Sequence, residues 1–347
     1  MKLLRQILII TAVIIAAGGA FFGGMTLAKS LQARYAESDE AASADETASE
    51  TDAISPLNDD SVLDYSIVYN GQTYHYNANL RNVLLIGVDC MDPVADMTAD
   101  SEALCDFLLL ISLDQSTGEC TLIQLNRDTM TDVPWVYDDG TYGGYNYESL
   151  AFAHDYGGTQ VMKCENTVNA VSGLLYYIPI DNYISINMGG IPGLVDLVDG
   201  VTIPILYDFS QSDTVLSQYE IGEQAHLDGE TALVYVRARF NIQDTTNADR
   251  MVRQQVFMHA LAAELRDRYN EDSQFALDAF MTAGDYLVTD CLVDELLDFA
   301  GVMASVDTSE IIIPKGHNTT GERYTEFYPD EDALQELVVE TFFLPVE

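Results

Sequence analysis

The scarcest charged side chains of this sequence are the ones whose spacing could do chemistry. Only 15 Lys and Arg residues stand against 56 Asp and Glu residues. Arg127 follows a predicted strand, and Arg237 and Arg239 lie two residues apart on another. Arg250 and Arg253 lie three residues apart on a predicted helix. Such spacings place both members of a pair on one side of their element. A guanidinium binds phosphate oxygens through paired N–H donors, and salt bridges to the abundant acids are the alternative interpretation.

Two acidic side chains stand at the ends of predicted strands. Asp89 ends the apolar run 82–89, and Asp106 directly precedes the apolar run 107–113. Carboxylates at the rim of a sheet can hold Mg²⁺, which prefers oxygen ligands and keeps several waters. With 56 acidic residues in the chain, two such positions also arise by chance. A metal site is therefore a hypothesis that the spacing permits without requiring it.

The elements that must position these side chains alternate between strands and helices. The runs 82–89 and 107–114 are apolar at nearly every position, which predicts buried strands, and a third strand is predicted at 120–126. Further strands are predicted at 66–69 and 73–76 around an Asn70-Gly71 turn, and at 180–187, 201–206, 232–239 and 310–314. Helices are predicted at 159–175, 191–198, 247–268, 274–287, 294–302 and 331–343. The mixture predicts an α/β fold, an α-β-α sandwich with a central mixed sheet. Its main domain covers 65–270, and a C-terminal extension at 271–347 packs on it.

The N-terminal segment has the length and composition of a transmembrane helix. Residues 7–28 carry no charge, follow Lys2 and Arg5, and are numerous enough to cross a bilayer as a helix. We predict a cytoplasmic tail at 1–6, a single-pass transmembrane anchor at 7–28, an acidic disordered linker at 29–64 and an extracytoplasmic C-terminal part. A cleaved signal peptide ending near Ala28 is the alternative. The net charge of −41 opposes nucleic-acid binding, which depends on Lys and Arg contacts to phosphates.

The cysteines carry no motif for metal binding or for nucleophilic catalysis. None of the five (Cys90, Cys105, Cys120, Cys164 and Cys291) forms a CxxC pair or has a histidine at zinc-ligand spacing. We interpret them as small buried side chains, with a disulfide between two of the first four as the alternative.

Eight short motifs, and the order in which they occur, resemble those of a known protein family. They are NVLLIGVD at 82–89, DFLLLISL at 106–113, NRDT at 126–129, FAHDYGG at 152–158, ENTVNAVSGLL at 165–175, IPIDNY at 178–183, LDGETALVYVRAR at 227–239 and DRMVRQQ at 249–255. Each motif alone is weak, but their order and spacing behind one apolar segment resemble the LytR-CpsA-Psr family over residues 82–268.

The resemblance implies a specific fold and reaction. Helices would surround the central sheet and a long apolar pocket that holds a polyprenyl tail. The protein would be a magnesium-dependent phosphotransferase of cell-wall assembly. It would move a glycopolymer, such as a teichoic acid or a capsular polysaccharide, from undecaprenyl diphosphate to a peptidoglycan hydroxyl. Asp89 and Asp106 match the Mg²⁺ ligands of the family, and Asp89 is our candidate for taking the proton of the attacking hydroxyl.

The resemblance also assigns the arginines. Arg127, Arg239 and Arg250 match diphosphate-binding residues that stabilise negative charge during transfer, and Arg237 and Arg253 occupy supporting positions.

Two positions depart from the family pattern. Leu104 stands where members often have an arginine, and the segment Cys90-Met91-Asp92 lacks the basic residue that many members carry there. These departures suggest one alternative, a non-catalytic or weakly hydrolytic binder of a polyprenyl-diphosphate-linked glycan. The resemblance supplies a second, a membrane-linked transcriptional attenuator, because relatives have been described as such. The absence of a basic patch opposes the attenuator.

Overall fold

The computed structural model describes residues 55–56, 65–99, 101, 103–212, 214–238, 247–272, 275–292, 311–321 and 324–346. The predicted anchor at 7–28, nearly all of the predicted linker at 29–64 and the predicted helix at 294–302 lie outside these residues. Within them, no helix is both long enough and apolar enough to cross a membrane.

Eight described strands precede the first described α-helix, and strands and helices mix along the rest of the chain. The strands are β1 (Ser55–Pro56), β2 (Ser66–Tyr69), β3 (Gln72–Tyr76), β4 (Leu80–Val88), β5 (Cys105–Asp114), β6 (Cys120–Leu125), β7 (Met130–Val136), β8 (Tyr142–Ser149), β9 (Asn182–Asn187), β10 (Val201–Pro204), β11 (Gln224–Leu227), β12 (Leu287–Thr289), β13 (Ile311–Ile312), β14 (Gly316–Thr320), β15 (Thr325–Pro329) and β16 (Phe343–Pro345). The helices are α1 (Gln160–Leu174), α2 (Ile191–Leu197), α3 (Gly229–Arg237), α4 (Ala248–Glu271), α5 (Phe275–Ala283) and α6 (Glu331–Phe342).

A six-stranded sheet forms the centre of the fold, in the order β12-β9-β4-β5-β6-β13. The pairs β4–β9 and β6–β13 are parallel, and the other three pairs are antiparallel. Strand β4 is buried from Asn82 to Val88, because helices cover both faces of the sheet and water reaches neither. The predicted mixed α/β fold with a central mixed sheet is therefore confirmed.

Helices lie on both faces of this sheet. On one, the α1 face, Ile86 packs in a core with Val171 of α1 and Val338 of α6. On the other, the α4 face, Leu85 packs near Met258 of α4. Helices α2 and α3 and the β10–β11 pair surround α4 in a further apolar core. The site described below lies on the α4 face.

The predicted strand at 232–239 is wrong, because this segment is the helix α3. The run Leu233–Val236 has the β-branched and aromatic content of a strand. However, the Asp228 side chain accepts a hydrogen bond from the Thr231 backbone N–H at 2.9 Å and caps a helix there. Arg237 is therefore the last residue of a helix, and its predicted same-side relation to Arg239 does not apply; Arg239 lies outside the described residues.

The hairpins β2–β3, β7–β8 and β14–β15 and a late strand complete the described architecture. The predicted turn between β2 and β3 is confirmed, with positive φ angles of 49° at Asn70 and 74° at Gly71. The sequence did not predict the β7–β8 hairpin. Strand β16 returns to pair with β3, in a second sheet of order β1-β2-β3-β16.

Candidate active site

A β-bulge re-aims Asp106 at the end of the two central strands. Gly87 pairs with Phe107 and Val88 with Cys105, so Asp106 is the extra residue of β5. Cys105 packs in the core of the α1 face, whereas Phe107 packs on the α4 face. Gly87 permits this arrangement, because a Cβ there would lie 2.8 Å from the Cβ of Phe107. Bulges are frequent beside active sites, where they redirect a side chain.

The Asp106 carboxylate is held between two arginines. Its Oδ1 contacts Nη1 of Arg127, and its Oδ2 accepts a hydrogen bond of 2.9 Å from Nη1 of Arg250. All three side chains are largely buried, with 4%, 13% and 5% of their surface exposed for Asp106, Arg127 and Arg250 respectively. Asp106 thus brings two guanidiniums to one place, where their N–H donors can bind phosphate oxygens, and Asp128 is a second carboxylate beside Arg127.

Arg127 is positioned by a loop that is tied to the start of α4. The Asn126 Oδ1 accepts hydrogen bonds from the backbone N–H of Asp128 and from Nδ2 of Asn247, both at 2.9 Å. Arg127 Nε also donates to Asp128 Oδ1 at 3.2 Å. Asn126 and Asn247 are not among the predicted site residues, although Asn126 opens the NRDT motif. They fix the distance between the Arg127 loop and Arg250.

Buried amide side chains hold α4 against the central strands. Gln254, one turn after Arg250, donates from Nε2 to the Asp106 backbone oxygen at 3.5 Å. Gln255 Nε2 donates to Gln124 Oε1 of β6 at 2.5 Å. Both glutamines lie in the DRMVRQQ motif, which could have identified them as site residues. They are absent from the predicted site because they are uncharged.

Arg253 has a different environment from Arg250. Its buried guanidinium donates from Nε to the Tyr235 carbonyl at 3.2 Å and from Nη2 to the Ala238 carbonyl, and lies 5.4 Å from the ring centre of Tyr207. Carbonyls at a helix C-terminus lack partners within the helix and attract cations. Arg253 therefore anchors the C-terminal end of α3, which carries Arg237.

A second, more exposed ion pair lies at the same edge of the sheet. Arg237 Nη2 donates to Asp89 Oδ1 at 2.8 Å, and Arg237 Nη1 lies 3.8 Å from the sulfur of Met91. The Asp89 backbone N–H donates to the carbonyl of Leu104 at 3.0 Å, so the departure at 104 directly adjoins this acid. The structure thus joins Asp106 to Arg127 and Arg250, and Asp89 to Arg237.

The two acids fit a magnesium ion in kind and in number. No group of three or more His, Cys, Asp or Glu side chains able to hold a metal occurs in the part of the chain that the structure describes. Mg²⁺ is usually bound by only one or two carboxylates, with substrate phosphates and water completing the octahedron. Asp89 and Asp106 could supply those carboxylates, and in this structure each one faces a guanidinium.

The buried thiols and the buried histidine near the site do not ionise at neutral pH. Burial raises the pKa of Cys105 and of Cys164 to about 12, so both stay protonated at neutral pH. Burial also lowers the pKa of His154 to about 4. All five cysteines are free thiols, which contradicts the disulfide alternative; two of them are buried and three are partly exposed.

The chain is similar to known proteins over most of its length. The family model described as "LytR_cpsA_psr family" matches residues 33–341. The polyisoprenyl-teichoic acid–peptidoglycan teichoic acid transferase TagU of Enterococcus faecalis is 26% identical over 258 residues, which cover 71% of this chain and 76% of TagU. TagT of Bacillus subtilis, with the same transferase name, is 25% identical over 74% of each chain. Biofilm regulatory protein A of Streptococcus mutans is 27% identical over 69% of this chain and 57% of its own length.

Solved structures share the fold. Bacillus subtilis TagV aligns with a TM-score of 0.54 and 20% identity, over 76% of this chain and 98% of TagV. A Streptococcus agalactiae protein aligns with a TM-score of 0.60 and 19% identity, over 76% and 88% of the two chains. The match to the family model covers far more than half of the sequence, and the chain therefore belongs to the LytR-CpsA-Psr family.

Proposed function

We propose that this protein is a phosphotransferase that moves a glycopolymer from an undecaprenyl diphosphate carrier to a peptidoglycan hydroxyl. The observation that carries the proposal is the buried group of Asp106, Arg127 and Arg250, which brings two guanidiniums together at the bulged edge of the sheet. A diphosphate is the anionic group that the substrates of this reaction share. The transferase names of TagU and TagT support the same class of reaction.

The proposed reaction breaks the phosphoanhydride bond of the diphosphate and forms a phosphate ester bond. The sugar hydroxyl oxygen attacks the glycan-linked phosphorus, the bond to the bridging oxygen of the diphosphate breaks, and polyprenyl phosphate leaves. Arg127 and Arg250 stabilise the charge that develops on the phosphoryl oxygens, and Arg237 and Arg239 are proposed to contact the same group. The half-exposed carboxylate of Asp89 accepts the proton of the attacking hydroxyl.

Two further features belong to the proposal. Mg²⁺ bound to Asp89 and Asp106 would neutralise diphosphate oxygens. The uncharged run at 7–28 would anchor the protein in the cell membrane, with the domain at 65–270 and the extension at 271–347 outside the cytoplasm. A non-catalytic binder of the same lipid is the second candidate, because Leu104 and Met91 leave out two cations of the family pattern.

Arg237 offers the sharpest test, because its side chain is 43% exposed and its partner Asp89 is 31% exposed. An exposed ion pair contributes only about 0–1 kcal/mol to folding, so Arg237→Ala should leave stability nearly unchanged. A lost charge-assisted contact to the diphosphate should lower hydrolysis or transfer about tenfold or more, since such contacts are worth roughly 1.5–3 kcal/mol.

The matched control is Arg268→Ala. Arg268 is 38% exposed and pairs with an aspartate, Asp199, away from the site. The assay follows release of polyprenyl phosphate from a polyprenyl-diphosphate-linked saccharide by the full-length protein. Equal effects of both variants would refute a dedicated phosphate site. Binding of the lipid without any turnover would favour the second candidate.

A further inference from the structure

The outward face of the β7–β8 hairpin carries a row of tyrosines. Asp132 pairs with Tyr147, Pro134 with Tyr145 and Val136 with Tyr142, so these residues share one face of the hairpin. The three tyrosines are 60%, 56% and 56% exposed for Tyr147, Tyr145 and Tyr142. The rings of Tyr142 and Tyr145 touch edge to face, with their centres 5.5 Å apart.

We call Tyr142, Tyr145 and Tyr147 the tyrosine stripe. Tyr147 is five positions after Tyr142 along β8, so the stripe is about 17 Å long at ~3.4 Å per residue. This length suits an extended ligand of several units.

The stripe is held on a rigid support. Between its tyrosines, β8 turns Asn146 and Glu148 to the opposite face, where Asn146 Nδ2 donates to the Tyr156 hydroxyl at 3.0 Å. The same hydroxyl donates to Glu148 Oε1 at 2.5 Å. Because the inward side chains are fixed, the backbone that carries the outward rings keeps its shape without a ligand, which lowers the entropy lost on binding.

The negative charge around the stripe disfavours polyanionic partners. Asp132 lies on the same face, and Glu326 and Glu331 are close enough that, after desolvation, they and Asp132 raise the pKa of Tyr147. Carboxylates repel a polymer of phosphates, but they accept hydrogen bonds from hydroxyl and amide N–H groups. Tyrosine rings present apolar faces and a polar hydroxyl, which matches the C–H faces and hydroxyls of sugar rings.

The stripe is directly continuous with the candidate active site. Strand β7 begins three residues after Arg127, and the backbone N–H groups of Leu150 and Ala151, just after β8, donate to the carbonyls of Thr129 at 2.8 Å and of Arg127 at 2.9 Å. Tyr147 is thus the end of the stripe nearest to the phosphate-binding arginine, and Tyr142 is farther along the same strand. A ligand along the stripe would lead to Arg127.

We propose that the tyrosine stripe binds a neutral, N-acetylated amino-sugar glycan strand and so presents the acceptor to the phosphoryl group. This inference rests on the proposed function and adds to it the surface that selects the acceptor. The donor polymer, when it carries phosphates, is disfavoured here by Asp132, Glu326 and Glu331.

The test measures glycan binding and lipid-diphosphate hydrolysis separately on the full-length protein in mild detergent. The probes are a tetramer and a hexamer of N-acetylglucosamine, both neutral, and poly(glycerol phosphate). We expect the double variant Tyr145→Ala/Tyr147→Ala to bind both amino-sugar probes about tenfold more weakly, since truncating the central residues of an interface has effects of this size. The same positions changed to phenylalanine should keep most of the affinity, and hydrolysis should be unchanged in both variants.

Tyr137→Ala is the matched control, because Tyr137 belongs to the same hairpin and is 47% exposed but packs against Trp135, with ring centres 4.7 Å apart. The proposal is overturned if the unmodified protein binds neither amino-sugar probe, if Tyr137→Ala weakens binding equally, or if poly(glycerol phosphate) is the probe whose binding depends on the stripe. If Arg237→Ala abolishes hydrolysis but leaves glycan binding unchanged, the arginine site and the tyrosine stripe are separate sites. If glycan binding depends on the stripe but the protein does not hydrolyse the lipid diphosphate, the proposed reaction is refuted and the proposed glycan-binding surface is kept.

Discussion

Replacing Asp106 by asparagine should cost the fold far more than the same replacement at Asp89. Both changes keep the shape of the side chain and remove one negative charge. Asp106 is 4% exposed and bonded to two arginines, whereas Asp89 is 31% exposed and bonded to one. Removing one partner of a buried ion pair typically costs about 3–5 kcal/mol, because the remaining charge stays desolvated. An exposed pair contributes about 0–1 kcal/mol.

Thermal unfolding of the full-length variants measures this difference. For a domain of this size about 1 kcal/mol lowers Tm by roughly 2–4 °C, so Asp106→Asn should lower Tm by roughly 6–20 °C and Asp89→Asn by less than about 4 °C. Pyrophosphate should restore part of the loss in Asp106→Asn, since an anion bound only by the folded state stabilises it by mass action. Equal Tm values for the two variants would refute the assignment of Asp106 as the buried counter-ion of Arg127 and Arg250.

Two other perturbations test the surroundings of the site. Gly87→Ala should lower stability by about 1–3 kcal/mol and reduce hydrolysis, because the new Cβ would lie 2.8 Å from Phe107 and disturb the bulge that directs Asp106. Chemical denaturation checks it, with Gly173→Ala as a control, because Gly173 has no neighbour within 4 Å and no positive φ. His154 has its pKa lowered from 6.5 to about 4 by burial, so between these values the unfolded chain binds more protons and stability falls as pH decreases. His154→Gln should abolish that part of the acid sensitivity, and an unchanged slope of unfolding free energy between pH 6.5 and 4 would contradict it.

The sequence predicted the strands of the central sheet closely but could not show which way the site residues point. Strands β4, β5 and β6 differ from their predicted limits by two residues or fewer, because long apolar runs have few alternatives to a doubly covered strand. The bulge at Asp106 depends on the contact between Gly87 and Phe107, which lie on different strands. No local pattern records that contact.

Helix α3 is not predicted either, because it also depends on contacts that the local sequence does not show. The residues Leu233–Val236 favour a strand by composition, and only the Asp228 cap and the burial of this helix among α2 and α4 decide the outcome. The motifs nevertheless identify the site. The scarcity of arginine and the family positions of Arg127 and Arg250 predict both as site residues, and both contact Asp106 in the folded protein.

The pairing of β16 with β3 imposes an order on folding. Gln72 donates from Nε2 to the carbonyl of Val346 at 2.8 Å, and these residues are 274 positions apart. During synthesis the β2–β3 hairpin emerges early, but its partner strand arrives only after nearly the whole ordered chain has been made. Contacts of such long range slow folding, and until they form β3 presents an open edge that other chains could join. The nascent protein is therefore most vulnerable to self-association at the hairpin that it makes first.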